Sequence, residues 1–349
     1  MQAPTLQIGD RSIGAGSPCF IVAEVALAHD GSLGSAHAFI ELAADAGVDA
    51  VKFQTHIANR ESSPRERFRL PVSSQDRTRF DYWLRTAFTE EQWLDLHQHA
   101  QARRLVFYSS AFSIAAVDLL QRIGVPLWKI PSGEVTNRPL LERIAQTKLP
   151  VVLSTGLGYV KEIDEAVQLL VGRNIHVAVM QATSEYPCPP EHLGLNLLDF
   201  FRQRYRCPVG LSDHSGTVYA GIAAAALGAD IIEIHIAFSR EAFGLDVSVS
   251  LTPDQLRELV KGIRFVERAL ANPVEKDRVT QSLEGLRGLF FHSVVTSRDL
   301  AASSILARND LETRKPQDGI PASQLLNCVG RRLRHGLRAG DPIRNEDLE

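Results

Sequence analysis

Residues 208 to 216 read PVGLSDHSG. The stretch begins as a buried strand and ends in Ser212, Asp213, His214 and Ser215, a polar run that a plain turn could also supply. A second strand-like stretch, IIEIHIA at 231–237, ends in a comparable way with Glu233 and His235. Strand side chains alternate between two faces, so Ser212 and His214 share one face, and Glu233 and His235 share one. Neighbouring strands lie about 4.8 Å apart, which lets two histidines at matched height reach one ion. Two imidazoles with carboxylate or water oxygens suit a divalent metal such as Mn²⁺, Fe²⁺ or Zn²⁺.

Two lysines raise a second possibility. Lys52 and Lys129 lie inside apolar strands, where an unpaired ammonium is costly. Each could bury its stem and send its head to a strand end, as part of a phosphate clamp or as a Schiff-base amine. The hydroxyls and glycines of KIPSGE (129–134), LSTGLG (153–158) and GLSDHSG (210–216) favour the clamp, with Lys129, Ser132, Ser154 and Ser212 as donors.

The elements that must carry these groups form a regular series. Eight short apolar runs occur, at 19–25, 49–55, 105–111, 126–132, 150–156, 177–183, 208–214 and 231–237. Amphipathic stretches such as SAHAFIELAADAG and NRPLLERIAQT separate them. Eight strand–helix units over roughly 250 residues predict an α/β fold, the (β/α)8 TIM barrel. A doubly wound open sheet is the rival, but no GxGxxG follows the first strand. The strand ends of such a barrel gather Glu24, Lys52, Gln54, Ser109, Ser110, Lys129, Ser132, Glu134, Ser154, Thr155, Gln181, Thr183 and Tyr186 beside the two histidine-bearing endings.

The tail differs. Its tight turns and the related phrases AASSILARNDL and RAGDPIRNEDL predict a small β-rich domain. The expected layout is a barrel over 1–275, a linker over 276–288 and the small domain over 289–349. The basic run at Arg331, Arg332 and Arg334 reads as a solvated face rather than a nucleic-acid site.

The 349 residues are 44% hydrophobic and 23% charged, with net charge -3, so neither nucleic acid nor an anionic membrane is expected as a partner. Four scattered cysteines suit reduced thiols in a cytoplasmic protein. The opening residues show no signal peptide, and the apolar stretch at 220–238 is too interrupted to span a membrane.

FIVAEVALAHDGS, AGVDAVKFQ, KIPSGEVTN, QATSEYPCPPE, GLSDHSGT and LGADIIEIHIAFSR…FGLDVSVSLTP, in that order, resemble the motifs of the sialic acid synthase family. The tail resembles that family's small antifreeze-like (SAF) domain, so the likeness runs from about residue 19 to 349. It implies condensation of phosphoenolpyruvate with an open-chain amino sugar such as N-acetylmannosamine, giving a nonulosonic acid and phosphate. By the same resemblance, Lys129, Ser132, Ser154, Ser212 and Gln54 would hold phosphoenolpyruvate, and Glu134, Lys52 and Glu24 would be catalytic. His214 and His235 would bind Mn²⁺, or Mg²⁺ or another divalent ion. Tyr186 and Asp246 would face the sugar, and Arg314 and Lys315 would reach it from the tail of a partner in a domain-swapped homodimer.

Several positions depart from the family pattern. The usual NHNG reads AHDG, with Ala28 ahead of a retained His29, and the usual HCTS reads QATS, with Gln181 and Ala182. Ile234 replaces a lysine, although alternation points that position away from the barrel axis, and Val247 stands where a histidine is common. Lys315 occupies the place of an arginine, and lysine lacks the planar guanidinium fork. An altered acceptor is therefore in play, as in legionaminate or pseudaminate synthases. A Schiff-base aldolase, a non-catalytic sugar-binding scaffold and an ice-binding tail are the remaining readings.

Overall fold

A computed structural model describes residues 5–14, 16–68 and 75–349. The chain divides into two compact units, Met1–Ala271 and Asn272–Glu349.

The first unit opens with an antiparallel hairpin, β1 (Thr5–Ile8) and β2 (Arg11–Gly14). Eight parallel strands follow: β3 (Phe20–Ala26), β4 (Ala50–Thr55), β5 (Val106–Ala111), β6 (Trp128–Ile130), β7 (Val151–Ser154), β8 (Val177–Ala182), β9 (Val209–Asp213) and β10 (Ile231–His235). They pair in chain order, and β10 closes on β3, so the TIM barrel expected from the sequence is present. Each lies within one of the eight apolar runs or overruns it by a residue.

Period-two alternation divides the core into two layers. Outward residues such as Val51, Phe107, Ile130, Leu153, Val179, Leu211 and Ile234 pack against Phe39, Leu96, Leu120, Ile144, Leu170 and Leu259 of the surrounding helices. Inward residues Phe20, Val22, Ala50, Tyr108, Leu127, Val152, Ala178 and Ile231 cluster with Leu6, Ile8 and Ile13 of the hairpin. The hairpin therefore covers the inner apolar layer, leaving the carboxyl ends of the strands to polar groups.

Local chemistry sets the helix boundaries. The helix Leu33–Ala46 starts at Ser32, whose side chain accepts from Ser35 N, and stops at Gly47, which is left-handed at φ 79°. The apolar stretch at 220–238 resolves into the helix Val218–Ala226, a turn at Gly228 and β10. Among the described residues no helix is long and apolar enough to cross a membrane, and all four cysteines are free and buried.

The second unit holds an antiparallel pair, β11 (Ser293–Thr296) and β12 (Leu311–Arg314), around Val294, Leu300, Leu306, Leu311, Ile320, Leu333, Ile343 and Leu348. The two related phrases fold alike. Asp310 Oδ2 accepts from Ala307 N at 3.0 Å, and Asp347 Oδ2 accepts from Arg344 N at 2.6 Å, each closing one short 3₁₀ turn. The stretch expected as a linker, 276–288, instead lies in two short helices, Lys276–Ser282 and Glu284–Phe290. Val279, Leu283, Leu286 and Phe290 recur there at helical spacing. The basic run is exposed, as expected, and is also anchored: Arg331 and Arg334 donate to the carbonyls of Glu349 and Leu348 at 2.7 and 3.0 Å, and Arg332 to that of Ser303 at 2.9 Å.

Candidate functional site

Barrel closure brings Glu24, Lys52, Lys129 and Glu233 together from β3, β4, β6 and β10. Lys52 Nζ lies 2.7 Å from Glu24 Oε2, 3.5 Å from Glu233 Oε1 and 3.2 Å from Ser110 Oγ. Lys129 Nζ donates to Glu233 Oε2 at 2.9 Å and lies 3.3 Å from Met180 Sδ, while Ser212 Oγ donates to Glu233 Oε1 at 3.3 Å. All four charged residues are buried. Two lysines and two glutamates thus meet inside the barrel, an arrangement whose desolvation cost makes it weak as a stabilising device.

The four groups do not titrate alike. Burial acts to raise Glu233, but Lys129 and Lys52 outweigh it and hold that carboxyl below its ordinary range. Glu24 is pushed up to about 8 by burial, against the pull of Lys52. Burial lowers Lys129 and Glu233 restores only part of the difference, whereas Glu233 and Glu24 together carry Lys52 above its usual value despite burial. A substrate anion entering here must compete with Glu233 and Glu24 for both lysines.

The two histidines meet above this cluster. Glu233 pairs with Ser212 and Ile234 with Asp213 between β10 and β9, which sets His235 beside His214 with ring centroids 5.5 Å apart. His214 Nδ1 donates to Thr183 O at 2.8 Å, leaving the Nε2 lone pair facing Tyr186 Oη at 2.9 Å. His235 Nδ1 is buried without a hydrogen-bond partner, 3.9 Å from Asp246 Oδ2. Burial lowers His214 to about 4, with His235 adding to the effect, and lowers His235 to about 3, with Lys52 adding to it.

This donor set fits a divalent cation. Both rings are neutral near pH 7, one is oriented through its second nitrogen by a backbone carbonyl, and the other keeps an unpartnered buried nitrogen. No group of three or more His, Cys, Asp or Glu side chains suited to a metal occurs among the described residues. The two imidazoles, with Asp246 nearby, are the groups here that could hold one.

Other expected residues fall in different places. Ser132 pairs with Ser184 at 3.4 Å, and Ser154 is buried at the end of β7. The four clamp donors do not converge on a shared partner: Lys129 and Ser212 meet at Glu233, and Ser132 faces Ser184. Glu134, raised by burial, accepts from Asn137 at 2.6 Å and lines a cavity of about 590 Å³ with Glu61, Arg60 and Phe112. Gln54 donates to Glu24 Oε1 at 3.3 Å. Arg314 and Lys315 belong to the second unit, where Arg314 pairs with Glu312 and the Lys315 ammonium lies 5.5 Å over the Phe290 ring.

The expected ring is narrower than the strand ends suggest, because several of these side chains turn elsewhere. Ser109 bonds Thr55, Thr155 donates to Met180 O, and Gln181 donates to Leu193 O. Asp213, lifted by burial to about 6, accepts from the backbone and hydroxyl of Ser215 and so shapes the turn. Half of the PVGLSDHSG ending is thus a site and half is a turn. Glu233 received no separate role from the sequence, although its shared face with His235 and the need of two buried lysines for a counter-charge both pointed to it.

Residues 39–275 match the NeuB family, and residues 291–349 match the SAF domain. An N,N'-diacetyllegionaminic acid synthase from Campylobacter jejuni is 30% identical, covering 93% of this chain and 98% of its own. The human N-acetylneuraminate-9-phosphate synthase is 29% identical, covering 96% of this chain and 94% of its own. A crystal structure of N-acetylneuraminic acid (sialic acid) synthetase from Leptospira borgpetersenii, in complex with citrate, superposes with TM-score 0.71 at 28% identity, covering 82% of this chain and 98% of the other.

Proposed function

Because this chain belongs to the NeuB family, we propose that it condenses phosphoenolpyruvate with the open-chain aldehyde of an acetamido sugar, releasing phosphate and a nonulosonic acid. N-acetylmannosamine or a related hexosamine is the acceptor, and N-acetylneuraminate or a legionaminate- or pseudaminate-type acid the product. Relatives named as synthases of such acids support the class, and the departures at Ala28, Gln181, Ala182, Val247 and Lys315 bear on the acceptor half.

The observation that carries this reading is the buried pair Lys52 and Lys129, both held by Glu233, two residues before His235 on the same strand. Lys129 and Lys52 neutralise the donor's carboxylate and phosphate, aided by Ser132, Ser154, Ser212 and Gln54. C3 of phosphoenolpyruvate then attacks the aldehyde carbon, water adds at C2, and the C2–O bond to phosphate breaks. A divalent ion such as Mn²⁺, held by His214 and His235, would supply Lewis-acid polarisation of the aldehyde oxygen. Glu134, held up by burial, serves in proton transfer, and Glu24, paired with Lys52, is a second catalytic carboxyl. Tyr186 and Asp246 orient the sugar, and Arg314 and Lys315 of a second copy complete its pocket in a cytoplasmic homodimer.

The test is phosphate release from phosphoenolpyruvate with Mn²⁺, across a panel of aldehyde sugars beginning with N-acetylmannosamine. Release that requires both the metal and one sugar is expected. Release without an acceptor, or none with any sugar, would refute the synthase reading.

A further inference from the structure

One hydroxyl inside the barrel has no part in the assignments above. Tyr108 of β5 is fully buried, and its Oη has no hydrogen-bond partner among the described residues. Buried phenols ordinarily find a partner, so an idle one calls for a reason. Strand register fixes its place. Glu24 pairs with Lys52 between β3 and β4, and Lys52 pairs with Tyr108 between β4 and β5. Paired residues on neighbouring strands share a face, so these three form one inward row. The Tyr108 ring belongs to the inner apolar layer that also holds Ile231, two residues before Glu233 on β10. Burial pushes the phenol well above its ordinary range, and Glu233 and then Glu24 push it further. Tyr108 therefore keeps its proton, and the charges that act on it are the two carboxylates of the cluster.

Glu233 is held by donors that phosphoenolpyruvate also needs. Lys129 Nζ lies 2.9 Å, Lys52 Nζ 3.5 Å and Ser212 Oγ 3.3 Å from its carboxylate. The proposed reaction calls on the same three groups to hold the donor's carboxylate and phosphate. As they turn to the substrate, Glu233 becomes a buried carboxylate losing its partners, and the cost of that state opposes binding. A protonated hydroxyl in the same interior, with no partner to give up, offsets that cost without bringing in another charge.

We propose that Tyr108 is a positioning residue acting through Glu233: its hydroxyl donates to that carboxylate as phosphoenolpyruvate draws Lys129 and Lys52 away, so that both ammoniums can turn to the substrate. The inference rests on the reading of the two lysines as the phosphoenolpyruvate clamp. The hydroxyl then contributes nothing to the folding of the free protein and stabilises only the complex.

Calorimetric titration of the full-length protein with phosphoenolpyruvate, in the presence of Mn²⁺, tests this when paired with urea unfolding of the substrate-free protein. Tyr108→Phe keeps the ring in its layer and removes only the hydroxyl. It should weaken phosphoenolpyruvate binding about tenfold, the scale of one hydrogen bond to a buried charge. The free variant should unfold at the wild-type urea concentration or above it, because the hydroxyl it lacks had no partner. Its Mn²⁺ affinity, titrated separately, should match wild type, which a general loosening of the barrel would not allow. If Tyr108→Phe does not fold, Tyr108→Met, which also fills the layer without a hydroxyl, takes its place.

Wild-type phosphoenolpyruvate affinity in the variant without the hydroxyl would overturn the inference. So would a free variant that loses as much stability as it loses binding, since the hydroxyl would then serve the fold. A matching loss of Mn²⁺ affinity would overturn it as well. A wild-type protein that binds no phosphoenolpyruvate would overturn the reading of the two lysines, and this inference with it.

Discussion

Glu233 is the residue on which both buried lysines converge, at 2.9 Å from Lys129 and 3.5 Å from Lys52. Removing one partner of a buried ion pair leaves the other uncompensated, which typically costs about 3 kcal/mol. Glu233→Gln should therefore lower the unfolding free energy by about that amount in urea titrations, and abolish turnover with it. His29 offers a second residue-level expectation, away from the imidazoles of His214 and His235. Its Nδ1 accepts from Gly31 N at 3.1 Å and its ring stacks on Phe88 at 4.5 Å. Burial lowers it from 6.5 to about 3, with His56 adding to the effect. Between those values the unfolded chain binds the proton and the folded one does not. The contribution of His29 is thus complete above pH 6.5 and lost as the pH falls toward 3. His29→Phe should reduce the fall in stability between pH 6.5 and pH 5 by about 2 kcal/mol, measured by denaturant unfolding at each pH.

At the scale of elements, the contact between β9 and β10 decides whether the two imidazoles meet. Gly210 of β9 has no room for a side chain: a Cβ there would overlap Ile231 O and come within 2.8 Å of Ile231 Cβ. Backbone cannot yield as a flexible side chain does, so Gly210→Ala should force the strands apart at a cost of about 1–3 kcal/mol. The same shift should weaken Mn²⁺ binding at His214 and His235, which titration calorimetry would register although neither ligand is altered. Wild-type metal affinity in a destabilised Gly210→Ala protein would show that the imidazole pair tolerates the displacement. In the second unit, the two 3₁₀ turns explain the repeated phrases, since each needs its aspartate to accept from the backbone three residues earlier.

At the scale of the whole molecule, the proposed homodimer predicts sedimentation at twice the monomer mass. Deleting residues 289–349 should raise the sugar KM while leaving phosphoenolpyruvate affinity largely intact. Unchanged sugar kinetics would count against capping by a second copy. Much of this architecture was legible in the sequence, because the signals behind it are local. Alternation within each strand placed His214 beside Ser212 and turned Ile234 outward, and helical periodicity separated eight strands from their helices. Helical spacing across 276–288 was equally visible, and two short helices occupy that stretch. What only the tertiary structure decided is who faces whom across the closed barrel. Glu24 and Glu233 are brought to the same lysine when β10 pairs with β3. Likewise, whether a strand-end hydroxyl serves the chamber or a loop depends on the face it occupies after closure. Alternation orders side chains along one strand, but charge pairing depends on distances between strands, and those exist only once the ring is closed.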